Sequence, residues 1–471
     1  MSGLRERMNR LLGAAAPRQA DPSQELKEAI DVTSAARSEA LNETGNPADR
    51  RMLLVDTPEP DGRSESERKD AGGLVASDEA AGLEPGWAEL GVEALAYEGE
   101  SFLRRRLVYP LQHRHGDQQL SELHDVVSEL VAFHPSLPSP SADEILFLDL
   151  ETTGLGAGTG TIPFMVGIGY AEKERFVIEQ LFIRHPAEER AMLGYLHGWL
   201  ESRRYLATYN GKTFDWPALT GRYVMHGHRD ELPVPLHLDF LHPSRSIWRH
   251  TLDSCKLSRV EEARLGIRRE DDVPGSMAPA LYYQYLADGQ PQPLEAVFRH
   301  NEIDMLSLAA LAIRYGRLLG GGLGSELPYP EQPEELLRTG LWLERMGRTE
   351  DAESIYERLM DQGHRPGAWC LPLAARDKKI GNWGRAVVLW QKAAQAAEEA
   401  SSHVTEAHIE LAMYHEHKTK DLPQALHYAK LAFAMSGSRG DARKGPKQQD
   451  REVIRKRVER LLTKVERNKK R

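Results

Sequence analysis

From Trp87 onward, apolar and polar positions fall into short patterned blocks. ESFLRRRLVYPL (100–111) has the density of large apolar residues expected of a strand, and a helix is predicted at Leu120–Ala132. The segment FHPSLPSPSADE (133–144) carries three prolines and ends that helix. ILFLDLETTGL (145–155) is an apolar run of strand length, and FMVGIGYAE and RFVIEQLFI (164–172, 175–183) read as a hairpin after it. A helix from about Ala187 to Ser202 precedes a further strand, YLATYN (205–210). Strands interleaved with helices predict an α/β unit, a mixed sheet with helices on both faces, over residues 87–320.

After Gly320 the period becomes helical throughout, beyond a linker LPYPEQPEE. Gly347 and Gly381 are 34 residues apart, as are Ala352 and Ala386, and Tyr356 and Trp390. Ala407–His417 and Gln424–Met435 supply a third helical pair at slightly longer spacing. A 34-residue period with glycine at the turn and alanine where helices pack resembles the tetratricopeptide (TPR) pattern, so residues 333–435 are expected to form an all-α, TPR-like domain. A helical bundle without repeats would also satisfy the helical period. In residues 439–471, 14 Lys or Arg face 5 Asp or Glu, and Ile454, Val458, Leu461 and Val465 recur at helical spacing. Residues 436–471 are therefore expected to hold a basic amphipathic helix and tail, either a solvated cap on the repeats or a nucleic-acid contact.

Composition changes the picture mainly at the N-terminus. Residues 1–86 contain no Phe, Tyr or Trp, although the chain has 33 aromatics, and are rich in Ala, Glu, Asp, Ser, Gly and Pro. Such a stretch buries too little apolar surface to offset chain entropy, so an acidic, low-complexity, disordered region is expected, with a frayed helix near Leu4–Ala15. No apolar run approaches the roughly 20 residues of a membrane span, and no signal peptide is evident. Cys255 and Cys370 are the only cysteines of the 471 residues, which argues against a disulfide framework or a cysteine zinc site and suits the cytoplasm. The net charge of −10 weighs against a nucleic-acid-binding surface over the whole molecule, yet an acidic nuclease pocket is compatible with it.

The chemistry lies in three acidic segments. In LFLDLETTGL, residues i and i+2 of a strand share a face, so Asp149 and Glu151 emerge together at the end of an apolar run. Two carboxylates side by side repel unless a cation lies between them. In TYNGKTFDWPAL (208–219) a strand ends, Gly211-Lys212 turns, and Asp215 opens a helix, where a carboxylate could equally serve as a cap. In HNEIDMLSLAALAIRYGRLL (300–319), Ile303, Leu306, Leu308, Leu311 and Ile313 mark a helix, and His300 and Asp304 lie one turn apart on it. His113, His115, His237, Asp239 and His242 could make a separate metal site, though caps and turn contacts explain them as well, and Asp271-Asp272 is expected in a loop.

The ordered set DLET, NGKTFD and HNEID resembles the three exonuclease motifs of the acidic-quartet (DEDD) superfamily, which has the ribonuclease H-like fold. The likeness is greatest to the YprB-type bacterial family of predicted 3′–5′ exonucleases. It runs from about Leu107 to Leu319 and takes in YPLQHRHG, HLDFLHPSRSIW, LDSCKLSRVEEARLGI and DDVPG. It implies that Asp149, Glu151, Asp215 and Asp304 bind two Mg²⁺ or Mn²⁺ ions and that His300 activates the attacking water. Three residues separate His300 from Asp304, the spacing of the superfamily's tyrosine branch with histidine in the tyrosine's place. Thr152 and Leu155 would place the terminal nucleotide, and Asn210 would donate to the substrate backbone. The expected partners are a DNA or RNA substrate and a protein held by the TPR-like repeats. A scaffold with a residual nuclease domain, or a transposase- or resolvase-like nuclease of the same fold, are the competing expectations. Keeping all four acids speaks against the first.

Overall fold

The computed structural model describes residue 83 and residues 85–154, 160–227, 232–270, 272–361, 364–436 and 448–469. The expectation of disorder over 1–86 falls almost wholly outside these residues, as does the frayed helix at Leu4–Ala15.

Among the described residues nine strands are formed: β1 (Val92–Tyr97), β2 (Glu100–Pro110), β3 (Arg114–His115), β4 (Gln118–Gln119), β5 (Ile145–Thr152), β6 (Pro163–Glu172), β7 (Arg175–Phe182), β8 (Tyr205–Thr208) and β9 (Leu236–Asp239). Seven of them make one mixed sheet in the order β1-β2-β7-β6-β5-β8-β9, while β3 and β4 pair separately. β5 is antiparallel to β6 and parallel to β8, and β8 is parallel to β9. Crossing helices follow the parallel strands: α1 (Glu189–Ser202) precedes β8, α2 (Asp215–Met225) follows it, and α3 (Leu241–Trp248) follows β9. Both sheet edges, β1 and β9, escaped the sequence reading. VEALAY has weak alternation and LHLD is four residues long, so neither carries a local signal that stands out from a turn. The helix expected at Leu120–Ala132 is present only as the short turn Glu122–Val126, after which the chain tightens into a 3₁₀ segment, Val127–Phe133.

β5 is buried on both faces, which is why its residues read as a nearly unbroken apolar run. Leu146, Leu148 and Leu150 join the core containing Met192 and Leu196 of α1. Ile145 and Phe147 face the other core, with Leu308 and Leu311 of the long helix α5 (Glu295–Leu319); α4 (Ala278–Asp288) precedes it. Each such side chain contributes about 1.5–3 kcal/mol on burial, so β5 and α5 are held in fixed relation by several residues at once.

The rest is helical: α6 (Pro333–Arg345), α7 (Thr349–Asp361), α8 (Cys370–Ile380), α9 (Trp383–Glu399), α10 (Glu406–Tyr414), α11 (Leu422–Met435) and α12 (Gln448–Lys469). Helices α6 to α11 pack as three successive hairpins. Gly347 and Gly381 take left-handed φ of 83° and 86° between the helices of the first two hairpins, a conformation that favours glycine. Ala352 and Ala386 are fully buried, as are Tyr356 and Trp390. Leu336, Leu337 and Trp342 of α6 continue the core that begins under β5.

Candidate active site

β5 delivers the first two acids. Asp149 and Glu151 leave it on the face of Ile145 and Phe147, toward α5. The β5–β6 register shifts between Glu151 and Thr152, a bulge that turns the strand end just where the second acid emerges. Thr152 then donates its hydroxyl to the Gly154 carbonyl at 2.7 Å, and Thr153 donates its backbone N–H to the Ile162 carbonyl (2.9 Å) while its hydroxyl accepts the Ile162 N–H (3.0 Å). The hydroxyl of Thr152 thus secures the turn. Leu155, expected at the substrate, lies outside the described residues.

The second element is the turn before α2. Asn210 sits at φ 72°, and Asp239, at the end of β9, accepts the backbone N–H groups of Asn210 (2.9 Å), Lys212 (3.0 Å) and Leu241 (3.0 Å). A buried carboxylate thereby fixes the turn whose exit is Asp215, the first residue of α2 and 5% exposed. Asp239 is a support for the turn, and His242 lies 3.9 Å from it with an exposed ring. The other histidines are likewise held by structural contacts: His115 bonds Ser307, His237 bonds Thr208, and His113 packs on Tyr109.

The third element is α5, which carries His300, Asn301 and Asp304. Asp304 is 8% exposed, and the His300 Nε2 lies 3.5 Å from its Oδ2. The four acids, from β5, α2 and α5, interact strongly. Burial pushes Asp149 well above the ordinary carboxylate range, reinforced by Asp304, Asp215 and Glu151. Burial does the same to Glu151, with Asp304 and Asp215 adding repulsion. Asp215 is pushed up to about 7, chiefly by burial and then by Asp239 and Asp304, against backbone hydrogen bonds that favour its charge. The fold therefore gathers all four acids and holds them where their charges oppose one another.

Arg269 and Asp272, from the stretch between Gly266 and Pro274, add contacts at the site; Asp272 was expected only as a loop residue, and Asp271 lies outside the described residues. Arg269 forks onto Glu261 at 2.6 Å through both Nε and Nη2, reaches Asp272 at 3.1 Å, and pairs with Asp304. Burial opposes its charge, but the bonds from Glu261 and Asp304 outweigh it and keep the guanidinium protonated. Asp272 places its carboxylate oxygens 2.9 and 3.0 Å from His300 Nδ1, with Arg269 Nη1 at 3.2 Å from the same nitrogen. Asn301 donates to Asp149 Oδ2 at 3.0 Å. Among the described residues no three His, Cys, Asp or Glu side chains converge as a ready cage for an ion; Asp304 is paired with Arg269 and Asp149 with Asn301. The donor chemistry nevertheless fits hard divalent cations: four carboxylate groups whose repulsion a cation would relieve, with no thiol among them. The available sequence signals for the added residues were their positions, Asn301 directly after His300 and Asp272 in the DDVPG segment.

Sheet order, acids and crossing helices define a ribonuclease H-like domain of the nuclease type. A sequence model described as the RNase_H superfamily matches residues 146–315, the span from β5 to α5. The chain is also 33% identical over 354 residues to the uncharacterized protein YprB of Bacillus subtilis (strain 168), covering 74% of this chain and 84% of that protein. The chain belongs to the YprB family.

Proposed function

We propose that the protein is a metal-dependent nuclease, a 3′–5′ exonuclease hydrolysing phosphodiester bonds of DNA or RNA. The observation that carries this reading is the mutual repulsion of Asp149, Glu151, Asp215 and Asp304, drawn from three separate elements, with Asp149 partly buried and the other three buried. Like charges gathered in this way destabilise a fold, and a site for divalent cations gives them a use. Asp149, whose charge the other three acids oppose, would hold two Mg²⁺ or Mn²⁺ ions together with Glu151, Asp215 and Asp304. Ions bound there would supply charge neutralisation at the phosphate and a more acidic attacking water.

The chain's own groups do the rest. His300 points Nε2 toward Asp304 and so toward the place where water would be deprotonated, the position a general base needs. Asp272 orients the ring from the opposite nitrogen. Thr152, which secures the turn, and Leu155 three residues on would place the terminal nucleotide, and the partly exposed Asn210 would donate to the substrate backbone. The helical hairpins, read as TPR-like, would recruit a protein partner. No helix among the described residues is long and apolar enough to cross a membrane.

One observation favours the rival reading of a scaffold with an inactive domain: Arg269 already supplies a positive charge to Asp304. End-labelled single- and double-stranded DNA and RNA, incubated with Mn²⁺ with and without a blocked 3′ end, decide between them. Shortening from free 3′ ends alone supports the exonuclease. Internal cleavage of blocked substrates would make it an endonuclease, and intact substrates with no Mn²⁺-dependent rise in melting temperature would favour the scaffold.

A further inference from the structure

Across the sheet, one row of paired residues runs Arg105, Gln180, Gly167, Asp149, on β2, β7, β6 and β5. The row has a gap at Gly167. The side chain of Asn301, fully buried, enters that gap from α5, and a Cβ at position 167 would overlap its amide. Hydrogen bonds then run unbroken along the row. Gln180 donates through Nε2 to the Phe298 carbonyl (2.6 Å) and to Asn301 Oδ1 (3.0 Å), while its Oε1 accepts from Arg105 Nη1 (3.2 Å). Arg105 is fixed in turn by Glu302, at 2.9 Å.

The direction of every bond is forced. A carbonyl only accepts and a guanidinium only donates, so Phe298 and Arg105 leave Gln180 one orientation. Gln180 then offers an N–H to Asn301, which must answer with Oδ1 and turn Nδ2 to Asp149, at 3.0 Å. No aspartate or leucine at 301 could transmit that polarity. We infer that Asn301 is a positioning residue for the candidate metal site, an amide set by Gln180 and Arg105 that holds Oδ2 of Asp149 and leaves the other oxygen turned to the site. This rests on the metal-dependent nuclease reading. It extends that reading to a fully buried residue.

The measurement is Mn²⁺ binding by the full-length protein, by isothermal titration and by electron paramagnetic resonance, with melting curves for each variant. Asn301→Ala should weaken Mn²⁺ binding ~10–100-fold, the usual effect of losing a partner of a ligating carboxylate, while the nucleic-acid KM changes little. Gly167→Ala, which leaves every polar group in place but fills the gap, should do the same. Arg105→Met loosens only the outer end of the row and should weaken binding several-fold, which keeps the idea open to test if the buried variants fail to fold. A wild-type protein that binds no Mn²⁺ would overturn the nuclease reading and this inference with it. Wild-type binding together with unchanged affinity in folded Asn301→Ala, Gly167→Ala or Arg105→Met would overturn the positioning role alone.

Discussion

Asp272 lies against the Nδ1 edge of His300, 2.9 Å from it, while the Nε2 of the same ring lies 3.5 Å from Asp304. The ring thus ties Asp272 to Asp304 of α5, with one carboxylate at each of its nitrogens.

If His300 takes the proton of the attacking water, His300→Gln should lower kcat by ~10²-fold or more. Asp272→Asn should cost about 10–100-fold on its own. In the double variant the second change should add almost nothing, since Asp272 acts through His300. Additive losses in steady-state kinetics would show that the two residues work separately.

The charge of Asp149 is opposed by all three of the other acids. Asp149→Asn keeps the shape of the side chain and the contact with Asn301, so the protein should fold with unchanged circular dichroism. Mn²⁺-dependent degradation of single strands should fall by about 10³-fold, the scale of losing a principal charge-stabilising group. Full activity in this variant would refute the site.

The pH dependence has a definite sign. Asp215 binds its proton up to about pH 7 in the folded chain but only to about pH 4 when unfolded. Between those values the folded state holds more protons, so its stability falls as pH rises, by ~1.4 kcal/mol per pH unit for this group. The burial of His115 and His237, each lowered to about 4, works oppositely, since stability is lost there as pH falls below about 6.5. Mn²⁺ separates the two effects. The rise in melting temperature on adding Mn²⁺ should be larger at pH 8 than at pH 5, and Asp215→Asn should shrink it while raising the melting temperature of the metal-free protein at pH 8. An equal Mn²⁺ effect at both pH values would contradict the coupling.

At the other end of the chain, the buried Glu416 accepts from Arg460 (2.7 Å) and Lys464 (2.8 Å) of α12, with Arg457 at 3.5 Å. Glu416→Ala should loosen α12 by about 1–2 kcal/mol, a modest figure because Arg460 and Lys464 still reach water. Hydrogen exchange should rise over residues 451–469 and stay unchanged in β5 and α5. Uniform change across the chain would mean that the helix is not held by this contact.

Much was legible in the sequence because it depended on local period. Strand alternation paired Asp149 with Glu151, helical spacing set His300 one turn from Asp304, and the glycine and alanine spacing marked the helical hairpins. The order of the three acidic segments then suggested a site. What surrounds that site was decided only by tertiary structure. Asn301 meets Asp149 across 152 positions of sequence, and Arg269 meets Asp304 across 35. Asp239 appeared as one acid in a histidine-rich segment and proves to bind the turn before Asp215 through three backbone N–H groups. Hydrogen bonds of this kind leave no periodic trace, since either partner alone is compatible with many local conformations. The sequence determined which acids are available and on which elements. Tertiary packing decided what holds them, because Asn301 beside Asp149, Arg269 beside Asp304 and Asp239 on the turn before Asp215 each come from a distant part of the chain.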